Sequence, residues 1–166
     1  MEYFSQSNLN YIVKNFKKSW KFRLHLFSIL PMGYLSGMKI KELDQEKCHV
    51  EVPYKWLNKN PFKSTFWAVL GMAAEMSSGA LVLLYTYNQK PSISFLVSKT
   101  EGIFLKKAMG KTTFICNDGE LIKKAIIKTI ETGEGVEIET NMVGFNTNNE
   151  EIAKFKFYWS VKKRST

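Results

Sequence analysis

The chain has 166 residues, 45% of them hydrophobic and 14% aromatic, and a net charge of +9. This composition excludes a disordered or low-complexity chain and suffices for one core, so residues 1–166 are expected to form a single domain. The basic excess attracts anions, but its lysines are scattered, with one short cluster at Lys162, Lys163 and Arg164; without zinc-finger spacing, stacking aromatics or heptads, no nucleic-acid partner is expected.

Residues 7–30 read as an amphipathic helix. Leu9, Ile12, Val13, Phe16 and Trp20 recur at helical spacing, and Lys14, Lys17, Lys18 and Lys21 lie mainly off that stripe. Pro31 ends it, which makes residues 1–30 a helical extension in front of the main domain. Such a basic, aromatic helix suits a membrane surface, although packing on its own domain is the commoner outcome. The same lysines and Arg23 interrupt every apolar run, against a signal peptide. Cys48 and Cys116 have no paired spacing and fit a reducing, cytoplasmic setting.

Residues 35–43 and 47–55 then read as two strands around a turn at 44–46, with His49 and Glu51 alternating with Val50 and Val52. Residues 56–64 form a loop in which Pro61 leads into a long helix that runs to about residue 89. After Pro91 come two strands broken by Gly102 and Gly110, rich in β-branched and aromatic residues. Asp118 is placed to cap a second helix with Leu121, Ile122, Ala125 and Ile126 on its apolar face and Gly133 at its end. Two long strands follow, joined by a polar turn. In the last, Ile152, Lys154, Lys156 and Tyr158 face one way and Ala153, Phe155, Phe157 and Trp159 the other. Short turns between strands favour an antiparallel sheet, and a sheet wrapping one hydrophobic helix gives an α+β architecture.

Glu75 stands out. It is the only charged residue between Lys63 and Lys90, within a run that reads as a buried helix. A carboxylate taken out of water must be paired or protonated, and its pKa rises toward the range of a general base or acid. A transmembrane reading of residues 64–89 is disfavoured, because Glu75 would sit mid-bilayer at a cost of about 3 kcal/mol. On a helical wheel, Ser64, Ala68, Gly71, Met72, Ser78, Gly79, Val82 and Thr86 share the Glu75 side, with Phe66, Val69, Leu70, Ala73, Leu84 and Tyr87 opposite. The bulky side suits the concave face of a sheet; on the small side Gly71 and Gly79 each cost about 1 kcal/mol of helix propensity relative to Ala, which implies close approach of a second subunit, a loop or a ligand tail. The plainer alternative is an ion pair that only fixes packing.

The segment NKNPFKSTFWAVLGMAAEMSSG, together with IFLKKAMG and the closing VGFNTNNEEIAKFKFYW, resembles hotdog-fold acyl-CoA thioesterases. It is most similar to a thioesterase-like branch with an Asn-x-Asn loop followed by Ser or Thr and an aromatic. Asn58, Asn60, Ser64 and Phe66 fall on those positions, and Glu75 on the helix carboxylate. The resemblance covers roughly residues 20–162 and implies an antiparallel sheet wrapped around a central helix. It also implies a homodimer joined edge to edge, with pairing of dimers left open, and active sites at the subunit interface. It implies that Glu75 attacks the thioester or activates water, that Asn60 positions carbonyl or water, and that Ser64 and the helix N-terminus hold the oxyanion. Asn58, Phe66, Trp67, Ala68, Gly71, Met72, Ser78 and Gly79 would line the substrate site, with Lys106 and Lys107 near the coenzyme A phosphates.

The chain departs from that pattern. Phe66, Trp67 and Ala68 stand where many relatives have His-Gly-Gly or an aromatic and two glycines, and Lys63 where a glycine is frequent. The departures motivate a second reading, a non-catalytic acyl-CoA or lipid-binding module on the same fold. A hydratase or dehydratase ranks last, since neither His25 nor His49 occupies the expected loop. No metal is implied, and no cofactor beyond the coenzyme A carried by the substrate.

Overall fold

The computed structural model describes residues 3–164; the two residues at either end of the expected domain lie outside the described residues. Three helices open the chain: α1 (Gln6–Lys17), α2 (Ser19–Ile29) and α3 (Pro31–Ser36). The single helix expected over 7–30 is thus two, broken at Lys18, whose backbone is extended (φ −77°, ψ 96°). The break folds the second helix back, so that Phe22 and Leu26 pack inward and the Phe22 ring lies 5.3 Å from that of Phe16. Trp20, expected on the inward stripe, is 62% exposed, and the side chain of Lys17 lies outside what is described. Pro31 follows the end of α2 but also opens α3, because its fixed φ suits the first helical position. Gly37, left-handed at φ 78°, closes that turn. The first strand therefore starts at Lys39 rather than at residue 35.

Strands β1 (Lys39–Leu43) and β2 (Cys48–Val52) form a hairpin whose turn is held by Asp44, its Oδ1 accepting the N–H groups of Glu46 (2.8 Å) and Lys47 (2.9 Å). A loop with a single 3-10 turn at Trp56–Asn58 leads to the central helix α4 (Trp67–Thr86), shorter than expected at both ends. Then come β3 (Ile93–Phe104), β4 (Thr112–Cys116), α5 (Gly119–Thr132), β5 (Val136–Phe145) and β6 (Glu151–Lys163). Asp118 precedes α5 without a side-chain cap; its carboxylate instead accepts the Asn141 N–H at 2.6 Å and ties the helix start to β5. Gly119 is required there, since a Cβ would stand 2.1 Å from the Gln45 carbonyl oxygen.

The six strands form one antiparallel sheet in the order β1-β2-β4-β5-β6-β3. This is the hotdog arrangement: a curved sheet around α4, with α5 packed against α4, β5 and β6. Although consecutive, β3 and β4 are not paired. β3 lies at the edge beside β6, and β4 lies between β2 and β5. The alternation expected in β6 holds for Phe155, Phe157 and Trp159, all buried, while Ile152 on the opposite phase is buried as well. The register sets the two cysteines, Cys48 and Cys116, directly opposite each other as free, buried thiols. α4 is long and apolar enough to cross a bilayer, but most of it is buried within this fold.

The close partner on the small face of the helix is β6 of the chain's own sheet, rather than the expected second subunit, loop or ligand tail. A Cβ on Gly71 would stand 3.4 Å from the Phe155 ring, and one on Gly79 3.4 Å from the Trp159 indole. Between them, Trp159 Nε1–H donates to Ser78 Oγ (3.0 Å), and Ser78 Oγ donates to the Glu75 carbonyl (3.1 Å). A methyl group fits at contact distance, while a branched side chain does not. Gly79→Ala is therefore expected to stabilise the fold by about 0.5–1 kcal/mol through helix propensity, and Gly79→Val to destabilise it by about 1–3 kcal/mol through overpacking. Urea unfolding of the two variants checks both signs.

Candidate functional site

The sheet wraps α4 incompletely. Val69, Leu70, Ala73, Leu84 and Tyr85 are buried against it, as are Ser78 and Val82, but Glu75 lies on the uncovered side and is exposed in the protomer. The expectation of a buried carboxylate is thereby corrected for the single protomer. The surrounding helix is buried, but the charged residue sits where coverage ends. Phe66, placed by the wheel on the inward side, precedes the helix as its N-cap and is also exposed.

Glu75 nevertheless has apolar company. It lines a cavity of about 290 Å³ between α2 and α4 with Leu26, Met72, Met76, Gly79 and Trp159. This surround desolvates the carboxylate and pushes its pKa up. His25 lines the same cavity. The sequence gives His25 no ligand set or loop context. Only the fold-back of α2 brings it to the wall that carries Glu75.

A second constellation lies at the start of α4. Asn60, Ser64, Trp67, Lys106 and Lys107 share a cavity of about 370 Å³ with Phe62, Phe104 and Leu105. Much of its polar chemistry is used within the loop. Asn58 is buried, and its Nδ2 donates to the carbonyls of Ser36 (2.8 Å) and Pro53 (2.7 Å), so its amide protons hold the loop in place. Asn60 Oδ1 accepts the N–H groups of Phe62 (3.0 Å) and Ser64 (3.2 Å). Ser64 Oγ accepts the Ala108 N–H (3.1 Å), and Thr65 donates to the Ala108 carbonyl from both its N–H (2.8 Å) and its Oγ1 (3.0 Å). Ser64 and Thr65 thus clamp the β3–β4 connection to the helix start. Lys63 adopts φ 58°, the left-handed region in which a glycine is at ease and a lysine is strained.

The N-terminus of α4 has no side-chain cap. Its first N–H groups, at Trp67 and Ala68, have no intrahelical acceptor by the geometry of a helix start. Trp67 is 59% exposed and stacks edge-on against Phe66, with ring centroids 5.8 Å apart. Of the two basic residues, Lys106 pairs with Glu150 at 2.6 Å; Lys107 is exposed, and among the described residues no ion pair holds it. Within one protomer the structure groups Met72, Glu75 and Gly79 around one cavity and Asn60, Ser64, Trp67, Lys106 and Lys107 around another. Gly71 and Ser78 are taken up by β6.

No family model matches the sequence, and no curated protein matches it. Solved structures are similar in fold. A protein of unknown function from Pseudomonas aeruginosa, described as a probable thioesterase, superposes with a TM-score of 0.74 at 19% identity over 87% of this chain and 96% of its own. A thioesterase from Haemophilus influenzae gives 0.63 at 14% identity, over 84% and 88% of the two chains. The Escherichia coli PaaI protein of the phenylacetic acid degradation operon gives 0.62 at 12%, over 91% and 96%.

The raised Glu75 pKa has a signed consequence. The folded state favours the protonated acid, so this group's stabilising contribution is complete below its ordinary value of 4.5 and is lost as pH rises through the raised value. Glu75→Gln is expected to melt at a higher temperature than the parent at pH 7, with the difference closing below pH 4.5. Thermal denaturation across that range measures it.

Proposed function

We propose that the protein is a thioester hydrolase acting on acyl-CoA or a related acyl thioester, and that it works as a homodimer with its sites between subunits. One observation carries the reading: an acid with a raised pKa stands on the uncovered side of the central helix, in the wall of an apolar cavity. Support for the dimer comes from β3. This edge strand of twelve residues leaves one row of backbone groups unpaired and carries exposed Leu96 and Ile103, each 60% accessible. Long apolar edges of this kind invite strand addition. Pairing β3 with its copy would extend the sheet and set the helix start of one subunit near the carboxylate of the other, joining the two constellations that are separate in the protomer.

In this reading Glu75 takes a proton from water, and the resulting hydroxide adds to the thioester carbon; direct attack by the carboxylate is the other route. The developing oxyanion is met by the uncapped N–H groups at the start of α4, aided by the helix dipole and by Ser64, whose hydroxyl proton remains to be donated. Asn60 orients carbonyl or water through its Nδ2, because its Oδ1 is occupied within the loop. The C–S bond breaks, and the thiolate takes the proton that Glu75 gained from water and leaves as the free thiol. Asn58 acts by holding the loop. Phe66, Trp67, Ala68, Gly71, Met72, Ser78 and Gly79 shape the substrate side, and Lys107, with Lys106 where Glu150 releases it, meets phosphate. The chain carries out this reaction in the cytoplasm, with no cofactor of its own.

The second reading, an acyl-CoA-binding module without turnover, draws on Trp67 at the helix start and on the commitment of Ser64 Oγ to Ala108. Purified protein assayed on a panel of acyl-CoAs separates the two. Hydrolysis that falls about 10²-fold or more in both Glu75→Ala and Glu75→Gln supports the enzyme. Unchanged turnover in both variants removes Glu75 from the mechanism, and tight binding without product establishes the module.

A further inference from the structure

The cavity that ends on Glu75 does not stop there. A second cavity of about 500 Å³ lies beside it, and the two share Phe16, Phe22, His25, Ile29 and Leu83 in their walls. Both lie between α4 and the N-terminal helices α1 and α2, so that joining across the shared wall would make one passage along α4. At one end is the carboxylate, with Gly79 leaving room for the edge of Trp159. At the other are Asn15, Lys21 and the stacked rings of Tyr11 and Tyr87, whose centroids are 5.4 Å apart. Among the described residues, the ionisable side chains of the nearer cavity are Glu75 and His25, and the rest of the described wall is hydrocarbon, sulfur and aromatic surface.

We propose that the two cavities join into one passage that receives the acyl chain of the substrate, with the thioester at Glu75 and the hydrocarbon running between the N-terminal helices and α4 toward Tyr87, so that the substrates are medium- and long-chain acyl thioesters. The inference rests on the thioesterase reading for its chemistry but not for its binding geometry. A short acyl group would occupy only the near end and leave most of the apolar wall unfilled. A chain that reaches past Leu83 displaces water from both cavities, whose sizes lie in the range of well-formed ligand pockets. The break at Lys18 is what makes the passage, because a single straight helix would not fold Phe22, Leu26 and Ile29 back over α4. The helical extension is thereby a specificity element, and the chain length it admits is set by residues of α1, α2 and α4.

The test compares kcat/KM for acetyl-, butanoyl-, octanoyl-, dodecanoyl- and palmitoyl-CoA in the parent and in two variants that plug the passage from opposite walls, Leu83→Trp from α4 and Ile29→Trp from α2. Ile29 is exposed, so its replacement is tolerated by the fold even where the helix variant is not. In the parent, kcat/KM is expected to rise with chain length by up to about fourfold per methylene. In each folded variant the preference for dodecanoyl- over butanoyl-CoA is expected to fall about tenfold or more. A flat profile, or a rising one that both plugs leave intact, overturns the inference while leaving the hydrolase standing. If no thioester is hydrolysed, the hydrolase reading fails, and calorimetric titration with the same acyl-CoAs decides the passage alone. Tighter binding of dodecanoyl- than butanoyl-CoA, weakened by the plugs, sustains it; equal affinity or no binding overturns it.

Discussion

The contact between the small face of α4 and strand β6 is the constraint on which the molecule depends. Gly71 and Gly79 bring the helix backbone within reach of Phe155 and Trp159, and the indole hydrogen bond to Ser78 fixes the helix in rotation and along its axis. With that seating given, the positions of other side chains follow. Tyr85 is aimed at the β1–β2 turn, where its hydroxyl donates to the Gln45 carbonyl at 2.7 Å. Glu75 is aimed at the gap the sheet leaves. A shift by one residue would turn the carboxylate by about 100° toward the sheet, where an ionised group without partners is costly.

Two demands meet at Glu75. Reactivity asks for partial desolvation, and folding asks that the charge not be sealed in. The structure satisfies both by giving the residue a water-accessible position and an apolar surround, assembled from Met72 and Met76 on its own helix and from Leu26 across the cleft. The loop before α4 is a different kind of object. Asn58, Asn60, Ser64 and Thr65 each commit part of their hydrogen-bonding capacity to backbone, and the result is a rigid collar that leaves the helix N-terminus bare. Rigidity of this kind favours preorganised donors, which cost no rearrangement when charge develops on a ligand.

Much of the fold was legible in the chain. The apolar run around Glu75, the alternation of Phe155, Phe157 and Trp159, and the turn at Asp44 each follow from local periodicity or side-chain chemistry. What stayed hidden was non-local. The small residues beside Glu75 show that something comes close, but not that it is β6 of the same sheet. The Lys18 break carries neither Gly nor Pro and is driven by the packing of Phe22 on Phe16, a contact that wheel analysis of one long helix does not contain. His25 is invisible for the same reason. Asp118 precedes a helix as a cap would, but it is recruited by Asn141, a residue on a strand not yet paired in any local reading. Strand order was also beyond local reach, since β3 and β4 are neighbours in sequence and strangers in the sheet.

That strand order bears on how the chain is made. β6 follows every other element described, and yet it is the strand that receives the small face of α4 and, among the described strands, the one that pairs with β3. A growing polypeptide must therefore carry this twenty-residue apolar helix with its small face uncovered until its last strand arrives. By length and hydropathy such a segment qualifies for insertion into a bilayer. The carboxylate near its middle raises the cost of that misrouting by about 3 kcal/mol, so the side chain proposed for chemistry also safeguards the chain on its way to the folded state.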